Sequence, residues 1–439
     1  MNRKILLALA FLFAGSMWYY VAHILVPLQR SEAIRTDRPR GNLSDLYPRW
    51  LGARELLLRG RDPYSPEITR RIQAGYYGRV LDPHRPNDPK DQGAFAYPVY
   101  IAFLLAPLIY SDFSTVMQVF SWGVGLLTVA SLFLWESAFR YRPPRLLTLS
   151  FVVLTLGSFQ VAQGIKLQQV SLLIAGLVAG CAAALAGGYL MLGGFLLALA
   201  TVKPQLAVPV VCFLVVWAIG NWPRRRAFLI SFVVTSIALV LAGEWILPGW
   251  VSEFRDAVHA YMQYTGGKSL LQELAGMFVG STLSVALIAI TGIFCWRVRH
   301  ADAGSRAFSW AFALVLAVTI VVIPSIATYN HVLLLPALLL LACEGPALWR
   351  SAPALRTSLA VLTLGVVWSW IASTVLSVIH LLAPRVPVEN AWKLPLYPIL
   401  LIPLFVLIAL IYPASRAAGE AVRQPSAAAR PAAAANSPS

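Results

Sequence analysis

The stretch ILLALAFLFAGSMWYYVAHILV, residues 5–26, is an apolar run of the length that crosses a bilayer as a single helix. Directly after it comes a polar segment, residues 28–93, which carries 13 Arg/Lys and 9 Asp/Glu. Beyond residue 93 the chain returns to apolar runs and continues so to about residue 412. This order predicts an all-α polytopic membrane protein in which one long polar loop follows the first span.

The composition supports the same class. Hydrophobic residues make up 58% of the 439 residues and charged residues only 12%, whereas soluble domains carry roughly 25% charged residues. The apolar runs are solid, which distinguishes them from the weak alternating segments of a membrane β-barrel. We therefore expect one transmembrane domain over residues 1–413 with about 12 transmembrane helices. The predicted spans are residues 5–26, 95–110, 114–137, 146–161, 170–187, 189–219, 228–247, 276–296, 307–323, 331–343, 357–380 and 395–413.

The arginines orient these spans. The net charge of the chain is +16. In the second half of the chain, arginines are concentrated in the connectors after residues 220, 296, 343 and 413, which all lie on one side of the membrane if the spans alternate. Short loops rich in Lys and Arg mark the cytoplasm, so the loop 28–93 is expected on the outside and a disordered tail, residues 414–439, in the cytoplasm. Arg140, Arg142 and Arg145 fall on the outer side in this count, against the rule. The basic residues are spread among loops, which excludes a nucleic-acid-binding domain.

The polar loop contains two predicted helices. Apolar residues recur at helical spacing from Leu46 to Leu58, and Gly60 marks the end of that helix. A turn over residues 61–64 follows, and Ser65-Pro66 is a typical N-cap with proline at the first helical position. Two amphipathic helices of this kind suit the outer surface of the bilayer. The 189–219 stretch is long for one span, and we expect a break at Pro204.

Asp45 is the candidate for chemistry in this loop, and two interpretations of it stay open. It stands just before the first loop helix, where an aspartate is a good N-cap. A carboxylate at the membrane surface is also a suitable general base for deprotonating an acceptor hydroxyl. Asp62 is the second candidate carboxylate, although an Asp-Pro pair is typical of a turn.

Several short motifs follow one another along the chain: Asp45-x-Tyr47, Ala53, Leu57, Gly60 and Pro63-Tyr64, then Phe95-Ala96-Tyr97-Pro98, Ala106-Pro107-Leu108, Gln169 with the apolar run after it, Lys203-Pro204-Gln205, and Asn330-His331. Their order resembles that of glycosyltransferase family 87. These are bacterial polyprenol-phosphate-mannose-dependent mannosyltransferases of the GT-C superfamily, and they include enzymes that elaborate phosphatidylinositol mannosides. The resemblance covers roughly residues 40–340, with one departure: Gln168 stands where the family usually has glycine.

The resemblance implies roles for these positions. Asp45 would be the catalytic base, and His331 would face the same cavity and assist. Arg49, Arg54 and Arg61 flank Asp45 and the turn, and they are the expected phosphate contacts in the loop. The remaining expected substrate-binding residues are Tyr47, Tyr64, Tyr97, Gln169, Lys203, Gln205 and Asn330.

The expected function is that of an inverting glycosyltransferase that moves a monosaccharide, mannose by the resemblance, from a polyprenyl-phosphate donor to a glycolipid or glycan acceptor. The site would lie at the outer face of the bacterial inner membrane, among membrane lipids. No cofactor or metal is expected, because the sequence has no acidic pair spaced for a nucleotide-sugar metal site and no Gly-rich phosphate loop. A transporter or flippase of lipid-linked sugars is the alternative, since it also explains many spans, a broken helix and a lysine among apolar residues.

Overall fold

The computed structural model describes residues 2–39, 43–82, 84–324 and 326–423. Within these ranges the regular elements are all helices, and none is a β-strand. The α-helices of the first half are α1 Arg3–Tyr19, α2 Val26–Arg35, α3 Tyr47–Arg59, α4 Pro66–Tyr76, α5 Ile101–Leu105, α6 Phe113–Ala138, α7 Arg145–Leu156, α8 Phe159–Lys166, α9 Val170–Ala186, α10 Leu190–Ala200 and α11 Pro204–Gly220. Those of the second half are α12 Trp222–Ile246, α13 Trp250–Thr265, α14 Leu270–Ala275, α15 Met277–Val298, α16 Arg306–Val322, α17 Leu335–Trp349, α18 Pro353–Leu382 and α19 Ile402–Arg423.

Among the described residues, seven helical stretches are long and apolar enough to cross a membrane, or eight if the bent pair α7 and α8 forms one span. A π-helical segment, Tyr20–Leu25, joins α1 and α2 into one continuous helix over Arg3–Arg35. Four shorter apolar helices, α9, α10, α11 and α16, accompany them. These findings agree with a polytopic helical membrane protein, and the first span extends further into the polar segment than the sequence predicted.

The predicted span at residues 95–110 is wrong. The only α-helix there is α5, five residues long, followed by a 3-10 turn at Ala106–Leu108. The apolar side chains of this segment pack instead against the loop helix α3: Phe95 lies on Gly52, and the Trp50 indole donates to the Leu108 carbonyl over 3.1 Å. The segment is hydrophobic because it forms the core under the polar loop, a role that hydropathy alone does not distinguish from a span.

The predicted break at Pro204 is confirmed, since α10 ends at Ala200 and α11 starts with Pro204 at its first turn. Two helices therefore replace one span at 189–219, while the span at 95–110 is lost. Because one span before it is lost, the connector between α6 and α7, residues 139–144, lies at the same end of the bundle as the other arginine-rich connectors. The extra helix at 189–219 keeps the later connectors at that end. Arg225 binds the Arg299 carbonyl there over 2.6 Å, and Arg140 lies beside Ala186 and Gly304. The exception to the arginine rule disappears.

The centre of the bundle is α16, in which every residue from Ala307 through Val321 is buried. It packs against α11, α15 and α19, and aromatic rings fill the space around Phe308 and Phe312. The last helix, α19, continues through Arg423 and thus extends into the segment predicted to be disordered. The rest of that predicted tail, residues 424–439, lies outside the described residues.

Candidate active site

The polar loop holds Asp45 in place through two short helices that the sequence predicted correctly. Helix α3 ends at Gly60, whose φ of 61° is a left-handed conformation that favours glycine. Helix α4 begins after Ser65, whose hydroxyl accepts from the Ile68 amide over 3.3 Å. The Asp62 carboxylate accepts from the Tyr64 amide over 2.8 Å, which is the turn role expected of an Asp-Pro pair.

Asp45 does not cap α3. The capping position is Leu46, and no side chain caps that end of the helix. The Asp45 amide donates to the Leu167 carbonyl over 2.9 Å, which ties the loop to the end of α8. Its carboxylate is free to take other partners: the Tyr76 hydroxyl donates to Oδ1 over 3.0 Å, and the Gln169 amide group donates to Oδ2. Of the two interpretations of Asp45, only the chemical one stays open.

Gln168 explains how Gln169 reaches Asp45 across 124 positions of sequence. Its φ is 50°, a left-handed conformation that residues other than glycine rarely adopt. The Gln168 side chain donates to the Ser121 hydroxyl over 2.8 Å and to the Lys166 carbonyl over 2.8 Å. The local backbone is therefore the one glycine would take, and these hydrogen bonds offset a conformational cost of about 1–2 kcal/mol.

Two cations stand near Asp45 without a carboxylate partner among the described residues. The Arg49 guanidinium donates to the backbone carbonyl of Asp45 over 2.8 Å and lies 4.6 Å from the centre of the Tyr97 ring. Buried Lys203 donates to the Ser171 hydroxyl over 2.6 Å and to the Asn330 side-chain oxygen over 3.2 Å. Because these partners are neutral, they balance neither positive charge, and both side chains are available to a bound anion.

These groups line one large cavity of about 910 Å³, within the roughly 300–1,000 Å³ range typical of small-molecule sites. Burial raises the pKa of the Asp45 carboxyl above its ordinary value and Asp91 adds to the rise, whereas Arg49, Lys203 and the hydrogen bond from Tyr76 oppose it. A carboxylate whose pKa is raised toward neutral pH is a stronger base, and general-base catalysis benefits from such a rise.

The structure sorts the predicted site residues into two groups. Asp45, Arg49, Tyr97, Gln169, Lys203 and Gln205 line the large cavity. Asn330 supports Lys203 from behind. Four loop residues predicted to bind substrate do not line it and have packing roles instead. Tyr47 lies on Gly75 and edge-on to Phe113, the Arg54 guanidinium stacks on Trp50, Arg61 pairs with Glu55 and Glu67, and the Tyr64 hydroxyl donates to the Tyr97 carbonyl.

His331 is also outside the large cavity. It lines a separate apolar cavity of about 290 Å³ between α7, α17 and α18, together with Phe151, Leu335 and Trp370. Its Nδ1 is buried there without a hydrogen-bond partner among the described residues. The expectation that His331 faces the same cavity as Asp45 is therefore wrong: Asn330 turns toward Lys203, and the next side chain of the same 3-10 segment points elsewhere.

Sequence reasoning missed two parts of the site. Tyr76 was not singled out, although it follows Ile68 and Ile72 at four-residue steps and so belongs to the inward face of α4. The predicted spans leave out residues 248–275, yet helix α13 lies there, and one wall of the large cavity is formed by its residues Val251, Phe254, Arg255, Val258, Tyr261 and Met262. Their helical spacing was a visible signal for this wall.

The sequence is similar to a known protein family. A family model described as glycosyltransferase family 87 matches residues 95–325, which is more than half of the 439 residues. The matched segment includes Tyr97, Gln169, Lys203 and Gln205, whereas Asp45 precedes it. Among curated proteins, nothing matches the chain.

Proposed function

The chain belongs to glycosyltransferase family 87, and from that premise we propose that it is an inverting transferase that uses a polyprenyl-phosphate sugar as donor. We expect the sugar to be mannose. The acceptor is a lipid or glycan whose hydroxyl reaches Asp45 at the outer face of a bacterial inner membrane. The observation that carries the proposal is Asp45 itself, a half-buried carboxylate in the wall of a cavity that also holds two cations, neither of which pairs with a carboxylate among the described residues.

The chemistry follows from these charges. Asp45 takes the proton of the acceptor hydroxyl as its oxygen attacks the anomeric carbon, and the bond from that carbon to the phosphate oxygen breaks. The departing polyprenyl phosphate gains negative charge, which Arg49 and Lys203 are positioned to stabilise. Attack from the face opposite the phosphate converts a β linkage into an α linkage. The products are the glycosylated acceptor, polyprenyl phosphate and a proton on Asp45.

The neighbours of Asp45 support its role as base. Tyr76 and Gln169 each donate one hydrogen bond to a different carboxylate oxygen. Two donors on two oxygens hold the carboxylate in one orientation, as a positioned base requires. Each oxygen retains acceptor capacity for the substrate hydroxyl.

The walls of the large cavity suit a donor that is part sugar and part lipid. Charged and aromatic groups line the side near Asp45, whereas α13 contributes apolar side chains, among them Val251, Phe254 and Val258. Helix α13 is amphipathic and lies outside the candidate spans. An isoprenoid chain that enters from the bilayer would lie along such a wall while its phosphate meets the cations.

The test compares Asp45→Asn with Asp62→Asn in purified protein. Radiolabelled polyprenyl-phosphate mannose and a membrane lipid extract are supplied, and labelled acceptor and released polyprenyl phosphate are measured. Loss of a general base lowers turnover by typically 10²–10⁴-fold, so we expect that loss in Asp45→Asn. Asp62→Asn keeps its turn hydrogen bond and is expected to retain turnover.

Two results contradict the proposal. One is wild-type turnover in folded Asp45→Asn protein. The other is movement of intact donor between leaflets without release of polyprenyl phosphate, which is the behaviour of a flippase.

A further inference from the structure

A second cavity lies on the other side of Asp45. It measures about 420 Å³, and its described walls come from α2, Arg38, Pro39, Leu43, Tyr76 and the end of α8. Asp45 and Tyr76 line both this second cavity and the large cavity. The carboxylate is thus set in the partition between two spaces, each within the range of small-molecule sites.

Lys166 places an amino group with no partner among the described residues in the second cavity. Its ammonium nitrogen is buried and has no hydrogen-bond partner among the described residues. Lys166 is the last residue of α8, where a lysine commonly binds the free carbonyls of the helix end. The ammonium makes no such bond. Its backbone is held by the Gln168 side chain, which donates to the Lys166 carbonyl over 2.8 Å.

The other charges of the second cavity leave Lys166 in need of an anion. Arg38 lines the same space and adds a second positive charge, and Glu32 lies exposed in its wall. Asp45 is the other carboxylate among the described lining residues, but its oxygens accept hydrogen bonds from Tyr76 and Gln169 and none from the Lys166 ammonium. A buried ammonium without a partner is costly, and a bound phosphate removes that cost.

We propose that the second cavity binds the acceptor and that Lys166, with Arg38, binds a phosphate group carried by the acceptor head group. The inference rests on the proposed transferase function. In the large cavity, Arg49 and Lys203 already serve the phosphate that leaves the donor, so Lys166 is not needed for that charge. A donor in the large cavity and an acceptor in the second cavity would meet at Asp45, where the proton is transferred.

The decisive measurement is binding, which does not depend on turnover. The full chain in nanodiscs of neutral lipid is titrated with three probes, with bound probe measured by native mass spectrometry. Dihexanoyl phosphatidylinositol carries one phosphodiester, dihexanoylglycerol glucoside carries no charge, and inorganic phosphate tests for a free anion. We expect the phosphodiester lipid to bind at least about tenfold more tightly than the other two, since charge-assisted hydrogen bonds contribute about 1.5–3 kcal/mol.

Variants assign that preference to the second cavity. Lys166→Gln is expected to remove it, Lys166→Arg to restore most of it, and Arg38→Gln to weaken it. Arg297→Gln removes an exposed positive charge from the opposite end of the bundle and serves as the matched control. If Lys166→Gln is poorly folded by size-exclusion chromatography, the Lys166→Arg and Arg38→Gln pair decides.

Equal binding of charged and neutral lipids, or a preference that survives in Lys166→Gln, overturns the proposal. Tight binding of inorganic phosphate alone also overturns it, because the site then takes a free anion. If the preference is present and Lys166-dependent but no sugar is transferred from any polyprenyl-phosphate donor, the anion subsite stands and the proposed transferase function falls.

Discussion

Replacing Tyr76 by phenylalanine tests whether Asp45 is the group whose ionisation controls catalysis. The change removes only the hydroxyl that donates to Asp45 Oδ1 over 3.0 Å. That hydrogen bond stabilises the charged carboxylate and lowers the Asp45 pKa, which burial has raised. Its loss should therefore raise the pKa further, so that a higher pH is needed to generate the base.

The size of the shift follows from the strength of the bond. A hydrogen bond to a charged group contributes about 1.5–3 kcal/mol, and one pKa unit corresponds to about 1.36 kcal/mol. The full value would give a shift of about one to two units by the same conversion. Asp45 keeps the Gln169 bond and is only half-buried, so we expect about one unit.

The assay is the pH dependence of kcat/KM, which reports the ionisation of the free enzyme. In Tyr76→Phe the acidic limb should move to higher pH by about one unit, while the plateau at high pH changes little. Tyr77→Phe is the matched control, because its hydroxyl donates to the Asp91 carbonyl over 2.8 Å and not to Asp45. Asp91→Asn gives the opposite sign: Asp91 raises the Asp45 pKa, so removing its charge should move the limb to lower pH.

An acidic limb that stays in place in Tyr76→Phe, or moves to lower pH, refutes the reasoning. A merely structural role for Tyr76 predicts a lower plateau with an unchanged limb. A limb that moves equally in the Tyr77→Phe control would show that the shift comes from general loosening of α4 and not from the lost hydrogen bond.

Two further predictions concern the packing that carries the site, and thermal unfolding in detergent measures both. Gly52→Ala should destabilise the protein by about 1–3 kcal/mol, because a Cβ there would lie 2.4 Å from the Phe95 ring. At Gly15, inside α1, an added Cβ has no atom within 4 Å and alanine favours the helix, so Gly15→Ala should not lower stability. An equal fall in melting temperature in both variants would contradict the close approach of α3 to Phe95. Glu55→Gln should cost about 1–2 kcal/mol, because it removes the negative charge of a side chain that is only 1% exposed and pairs with half-exposed arginines. Glu67 is exposed and pairs with one of the same arginines, so Glu67→Gln should cost at most about 0.5 kcal/mol. A larger loss of stability in Glu67→Gln than in Glu55→Gln would contradict this prediction. The arginines around Glu55 are Arg59, Arg61 and Arg71.

Local signals were sufficient wherever the structure depends on neighbouring residues. Both ends of α3, the glycine at position 60, the start of α4 with its cap at Ser65, and the break at Pro204 were all predicted, because caps, left-handed turns and proline act within a few residues. The helical membrane class was predicted for a similar reason: hydropathy sums along the chain, and a bilayer leaves helices as the main solution for solid apolar runs.

Hydropathy gave a wrong prediction where apolar residues are buried by protein and not by lipid. Residues 95–110 are as apolar as a span, but they are buried under α3 instead of facing lipid. Hydropathy reports that a side chain avoids water and does not report whether protein or lipid replaces the water. The topological error that followed, an arginine connector on the wrong side, was itself visible in the sequence as a violated charge rule.

The chain by itself determined the helical membrane class, the family motifs and the carboxylate at position 45. Tertiary structure decided which of those motifs meet: Gln169 and Tyr76 hold Asp45, Lys203 turns to Asn330, and His331 lies in a different cavity. It also decided that two cavities share Asp45 as their partition. The physical reason is that such contacts join residues far apart in sequence, and their geometry depends on how whole helices pack rather than on any local preference.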